Sequence, residues 1–206
     1  MESVRERPFV IKLLVIPILV GMLVCLMPPH RSMADSPGNI TVFADPAGSS
    51  CAIVDQVPGL FTLYVLHTNM DGMVSSDFRV IESSGFHATY VNETVPPIHV
   101  GSLQAGISVG YGACVVGPLL LGTITYAGDG TSVPCSTIDV VGNPNSVESS
   151  YAWTQSCLFD ILAAPQMGSL YVNPQAGQCG PWCALATQPT TWGRVKALYR
   201  EWRELR

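Results

Sequence analysis

From Asn39 to Val172 the apolar residues alternate with polar ones in short runs, and most runs end in Gly, Pro, Asn or Asp. Alternation at period two puts successive side chains on opposite faces of an extended chain, so these runs read as half-buried strands. Asn39 to Ala44 places Ile40, Val42 and Ala44 on one face. It stops at Asp45-Pro46-Ala47-Gly48, where Pro presets φ and Gly accepts positive φ. Gly59 to Asn69 is rich in β-branched and aromatic residues and reads as a core strand, closed by Asp71-Gly72. Phe78 to Ile81 follows, then His87 to Val91 as an edge strand. Ile107, Val109 and Tyr111 alternate with Ser108 and Gly110. Leu119 to Tyr126, Ile138 to Val141, Trp153 to Leu162 and Leu170 to Val172 complete the set. Roughly eight to ten strands at this turn spacing predict an all-β fold, a β-sandwich of Ig-like or jelly-roll-like kind. The Pro-Gly turn before Cys51 is echoed before Cys179, too briefly to be a repeat.

The two ends differ from this body. Arg5, Arg7 and Lys12 precede an uncharged apolar stretch, Leu13 to Met27, and Ser32-Met33-Ala34 offers small residues before Asp35. That pattern predicts a cleavable signal peptide over 1–34, with the mature chain secreted, periplasmic or at the cell surface. The stretch is short of the about 20 apolar residues a spanning helix needs, and Pro17 and Gly21 interrupt it. At the other end, over 190–206, Thr191 caps a predicted short helix. Trp192, Val195, Tyr199 and Trp202 then share one face, with Arg194, Lys196, Arg200 and Arg203 around the rest. Such a basic, aromatic tail docks on its own body, a membrane or a partner, or else frays.

Charge separates body from tail. Residues 35–189 hold eleven carboxylates and one cation, Arg79, whereas 190–206 hold five cations and two carboxylates. An acidic body excludes nucleic acid as the partner, since phosphates require Lys and Arg.

Removing the export segment takes Cys25 with it and leaves Cys51, Cys114, Cys135, Cys157, Cys179 and Cys183. An even number of cysteines behind an export signal predicts disulfides, with the pairing open. Cys179-Gly-Pro-Trp-Cys183 has three residues between its cysteines where a thioredoxin motif has two, and no βαβ setting. A structural role is expected.

Chemistry-bearing motifs are few. Gly106-Ile-Ser108-Val-Gly110 matches the G-x-S-x-G nucleophile elbow, which makes a small secreted serine hydrolase the rival reading. The elbow requires a helix after the serine and a histidine later in the chain; Tyr111 to Val116 is no helix start, and His67, His87 and His99 all precede Ser108. These three histidines are scattered singly, and Asp71, Asp77 and Asp129 lack a calcium-loop spacing, so no cofactor or metal is expected. Asn39-Ile-Thr41 and Asn92-Glu-Thr94 are glycosylation sequons.

Two resemblances add to this. The ending Thr190-Thr-Trp-Gly-Arg-Val-Lys-Ala-Leu-Tyr-Arg200 resembles the C-termini of uncharacterised exported bacterial proteins with a cysteine-containing β-domain. Phe61 to Asn69, Phe78 to Ile81 and Leu119 to Tyr126 are similar in order to strands of cohesin-like and carbohydrate-binding sandwiches, which implies a binding module. The expectation is therefore three segments: signal peptide 1–34, disulfide-bearing sandwich 35–189 and tail 190–206. The whole is a non-catalytic module for adhesion, assembly or glycan recognition, with an unknown protein or glycan as partner. Tyr90, Tyr111, Tyr126, Tyr151 and Trp153 are the candidate contact aromatics.

Overall fold

A computed structural model describes residues 36–164 and 166–179. The expectations for the export segment, for Cys183 and for Trp192, Arg194, Lys196, Tyr199 and Trp202 of the tail lie outside the described residues.

The described chain is all-β. Its strands are β1 Asn39–Phe43, β2 Ala52–Ile53, β3 Gly59–Thr68, β4 Met73–Glu82, β5 Thr89–Thr94 and β6 His99–Ser102. They continue as β7 Gly106–Val115, β8 Leu119–Gly128, β9 Ser136–Val141, β10 Trp153–Ser156, β11 Ile161–Ala163 and β12 Gln166–Val172. One hydrogen-bonded path runs β11-β10-β4-β9-β12-β1-β3-β8-β5, with β7 also on β4, β6 on β7 and β2 on β12.

Strand β12 joins the two halves of this path. Its first residues lie parallel to Asn39–Thr41 of β1. Its last four lie antiparallel to β9, where Leu170 pairs with Ile138. Strands β5, β8, β3 and β1 thus form one layer, and β6, β7, β4, β9, β10 and β11 the other. Alternating residues of both fill one core: Ile40, Val42, Leu63, Val65, Leu121, Ile124 and Tyr126 meet Phe78, Val80, Ile107, Val109, Ile138 and Val140. Each large side chain so buried contributes about 1.5–3 kcal/mol. Glu82 of β4 accepts the Tyr126 hydroxyl of β8, a polar tie across the layers.

Several expectations change in detail. Strand β1 is buried on both faces, because Phe43 packs with Cys51 and Leu66 in a separate cluster. Trp153 to Leu162 is a hairpin, not one strand. The buried Ser156 hydroxyl accepts the Leu158 and Asp160 amides, at 3.1 and 3.2 Å, and turns the chain back. His87 precedes the edge strand β5 and bonds Ser132 through its amide, at 3.0 Å. The short strands β2 and β6 carry no clear alternation and were not expected.

Candidate functional site

Ser75 and Asp77 of β4 point away from the core that Phe78 and Val80 enter, as period two requires. Register aligns Asp77 with Ser108 of β7 on one side and Trp153 of β10 on the other, while Val100 of β6 pairs with Ser108. The central residues, Ser75, Ser108 and Gly110, are small. The outer ones, Ile98, His99, Val100 and Trp153, are large, and together they enclose a cleft of about 250 Å³. Ile98 and Val100 are exposed. The Trp153 indole N–H donates to Ser146 Oγ at 2.9 Å, which fixes the ring. Gly110 is needed here, since a Cβ would lie 2.8 Å from Ile98 Cγ2.

Asp77 forms the polar floor beside this cleft and is itself buried. Its Oδ2 accepts the Ser108 hydroxyl and, at 3.2 Å, the Asn143 side-chain N–H, while Oδ1 is buried with no partner. Burial pushes the carboxyl up from its ordinary range, and hydrogen bonds from Ser108, Asn143 and Ser146 oppose this. Asn143 belongs to the loop between β9 and β10. That loop crosses close over β7, where a Cβ on Gly106 would fall 2.0 Å from Asn143 Oδ1. Asp77 is thus the residue on which the β9–β10 loop closes.

This geometry removes the nucleophile elbow. Ser108 lies inside a ten-residue strand with ladder partners on both sides, not on a strand-to-helix turn. Its hydroxyl is given to Asp77, and His99, at the cleft rim, bonds the Pro96 carbonyl through Nδ1 at 2.6 Å. His67 is fully buried elsewhere. The Pro37 carbonyl can only accept, so Nε2 carries the proton and donates to it at 2.6 Å. Nδ1 then accepts the Tyr111 hydroxyl, also at 2.6 Å. Burial lowers the His67 pKa to about 4, so the ring is neutral at pH 7. His87 sits at Thr131, 3.2 Å away. Among the described residues no three His, Cys, Asp or Glu side chains group to hold a metal.

The remaining candidates divide by position. Cys114 bonds Cys157, and Cys135 bonds Cys179, with Cα separations of 5.5 and 5.7 Å. Cys179 therefore bridges to a distant strand end, and not within its own motif. Cys51 is buried beside Phe43 and Leu66. Of the aromatics, Tyr126 is core, stacked on Phe61 and edge-on to Phe86, and is withdrawn as a contact residue. Tyr111 spends its hydroxyl on His67, and Tyr151 is half-buried. Tyr90 is exposed at the edge strand, and Trp153 lines the cleft. Asp71, Asp77 and Asp129 are apart: Asp71 pairs with Ser36, and Asp129 closes its own turn onto Thr131. Asn92 stands exposed on β5, whereas Thr41 of the other sequon is fully buried.

Sequence reasoning missed Ser75, Ile98, Val100 and Asn143, because only cross-strand register brings them to one place. It also missed buried Asp55, which accepts Ser132 Oγ at 2.5 Å and the Gly130 amide at 3.1 Å. Asn173 closes that network by donating to the Asp55 and Ser132 carbonyls.

No family model matches the chain, and no curated protein matches it. Solved structures similar to it include the cohesin module of a Clostridium perfringens family 33 glycoside hydrolase, at 8% identity and TM-score 0.44, covering 68% of this chain and 99% of that one. A type II cohesin domain from the cellulosome of Acetivibrio cellulolyticus is 10% identical with TM-score 0.46, covering 67% and 96%. A non-cellulosomal cohesin from the archaeon Archaeoglobus fulgidus is 10% identical with TM-score 0.45, covering 66% and 91%. These likenesses concern the course of the chain and are too distant to carry function.

Proposed function

We propose that this chain is an exported, non-catalytic binding module that takes a protein or glycan partner on the outward face of β6, β7, β4 and β10. The observation that carries this reading is the cleft itself. A fixed tryptophan and exposed Ile98 and Val100 surround small residues, and the polar groups beside it are already engaged with one another. A shallow, mostly apolar recess on a rigid sheet suits recognition, and a serine bonded directly to a buried carboxylate has no proton acceptor poised for attack. Two disulfides support an oxidising compartment, in keeping with an export signal over 1–34. The tail 190–206 is read as a second contact element.

The test compares wild type with Trp153→Ala and Val100→Asp, on a glycan array and against surface fractions of the producing cells. At least about tenfold weaker binding by both variants, with unchanged thermal midpoints, is expected. Equal binding by all three proteins removes the cleft from the reading. Labelling of Ser108 by a fluorophosphonate overturns the non-catalytic part.

A further inference from the structure

The tip of the β10–β11 hairpin exposes two adjacent large apolar side chains, Leu158 at 74% and Phe159 at 73%. Their position is enforced. Phe159 adopts φ +69°, a left-handed conformation that a bulky residue takes only under constraint. The constraint is visible. Buried Ser156 accepts the Leu158 and Asp160 amides with its hydroxyl and the Phe159 amide with its carbonyl. Cys157 is tied to Cys114, and its amide donates to the Gly72 carbonyl at 2.7 Å. Val116, 66% exposed, stands at the same end, since the next residue, Gly117, donates to Met70.

This is also the end at which the described chain begins. Ser36 pairs with Asp71 and donates its hydroxyl to the Asn69 carbonyl at 3.0 Å, so residues 69–73 hold both the hairpin and the first described residue. In sequence, Ser36 follows the apolar stretch Leu13 to Met27 by nine residues, a reach of about 30 Å at most.

We propose that this end is a lipid-contacting end, with Leu158 and Phe159 inserted at the surface of a zwitterionic bilayer. Its placement follows from continuity: a body that leaves the membrane through its N-terminal segment presents this end to the lipid first. The form of the patch favours lipid over a protein groove, because two apolar side chains project from a turn and enclose nothing. Charge selects the lipid. The body carries eleven carboxylates and one cation, so anionic headgroups repel it. The proposal is independent of the cleft.

The test is vesicle flotation with the protein as the exporting host releases it. Wild type is expected to float with phosphatidylcholine vesicles, and Leu158→Ser/Phe159→Ser to partition about tenfold more weakly. Added phosphatidylglycerol is expected to weaken wild-type binding. Trp192→Ser is expected to float as wild type does. Phe159→Gly provides a variant that keeps the fold, because glycine accepts the positive φ at no cost; it too is expected to lose binding. The proposal is overturned if wild type stays at the bottom of the gradient, which leaves a protein pocket as the occupant. It is equally overturned if either hairpin variant floats as wild type does, or if phosphatidylglycerol strengthens binding and Trp192→Ser abolishes it, which assigns the contact to the tail.

Discussion

At the scale of single residues the interior contains two polar groups whose hydrogen atoms are fully committed. His67 lies between the Pro37 carbonyl and the Tyr111 hydroxyl, neutral, with its pKa lowered by burial to about 4. In the unfolded chain the same ring takes a proton near 6.5. Between these values the unfolded chain binds more protons than the fold. The contribution of a neutral His67 is therefore complete above pH 6.5, falls as the pH drops toward 4, and levels off below. The full loss is about 3 kcal/mol. Urea titrations at several pH values should show this slope in wild type and a flatter one in His67→Gln, whose amide can both donate to Pro37 and accept from Tyr111. Glu82 presents the second case, since it accepts Tyr126 and, at 2.8 Å, Gln104. Tyr126→Phe should cost about 1–2 kcal/mol in the same assay, because the carboxylate keeps only one of these donors. Neither partnership is legible in the sequence. His67 sits 44 residues from Tyr111, and Tyr126 sits 44 from Glu82.

At the scale of elements the two disulfides and the β9–β10 loop decide what is rigid. Each bridge closes a separation of 43 or 44 residues, for which loop entropy predicts about 4 kcal/mol of stabilisation. Cys114→Ala/Cys157→Ala should lower the unfolding midpoint in urea accordingly and free the hairpin tip. Faster hydrogen exchange at residues 157–161 would report that release, and unchanged exchange would mean that Ser156 alone holds the turn. Strand positions were largely legible, because alternation reports which face is buried: Ile138 and Val140 on β9, and Leu121, Ile124 and Tyr126 on β8, all enter the core. The hairpin was not legible. Trp153 to Leu162 alternates well enough for one strand, and only the Ser156 turn and the pull of Cys157 toward Cys114 break it. The motif at Ser108 was resolved by the same logic, since a strand cannot present the exposed turn that the elbow chemistry requires.

At the scale of the whole molecule the dominant fact is charge. Between 35 and 189, eleven carboxylates face one arginine, whose Nε is buried without a partner. Self-repulsion of this kind is screened by salt. The thermal midpoint should therefore rise as sodium chloride increases from about 10 mM to about 300 mM, and a flat response would show that the carboxylates are individually neutralised. Intact mass under denaturing, non-reducing conditions should show no free thiol. With Cys114–Cys157 and Cys135–Cys179 in place, peptide mapping should then find Cys51 joined to Cys183.

What the sequence determined by itself was class: strands in place of helices, an acidic body with a basic end, and cysteines suited to bridging. These properties follow from local alternation, composition and counting, which need no knowledge of neighbours. What only the tertiary structure decided was adjacency. The cleft exists because register sets Val100, Ser108, Asp77 and Trp153 side by side across four strands. The apolar tip exists because a disulfide and one serine hydroxyl hold Phe159 outward. Cross-strand register and loop closure depend on residues dozens of positions apart, and a period-two pattern carries no record of which strand will lie beside which.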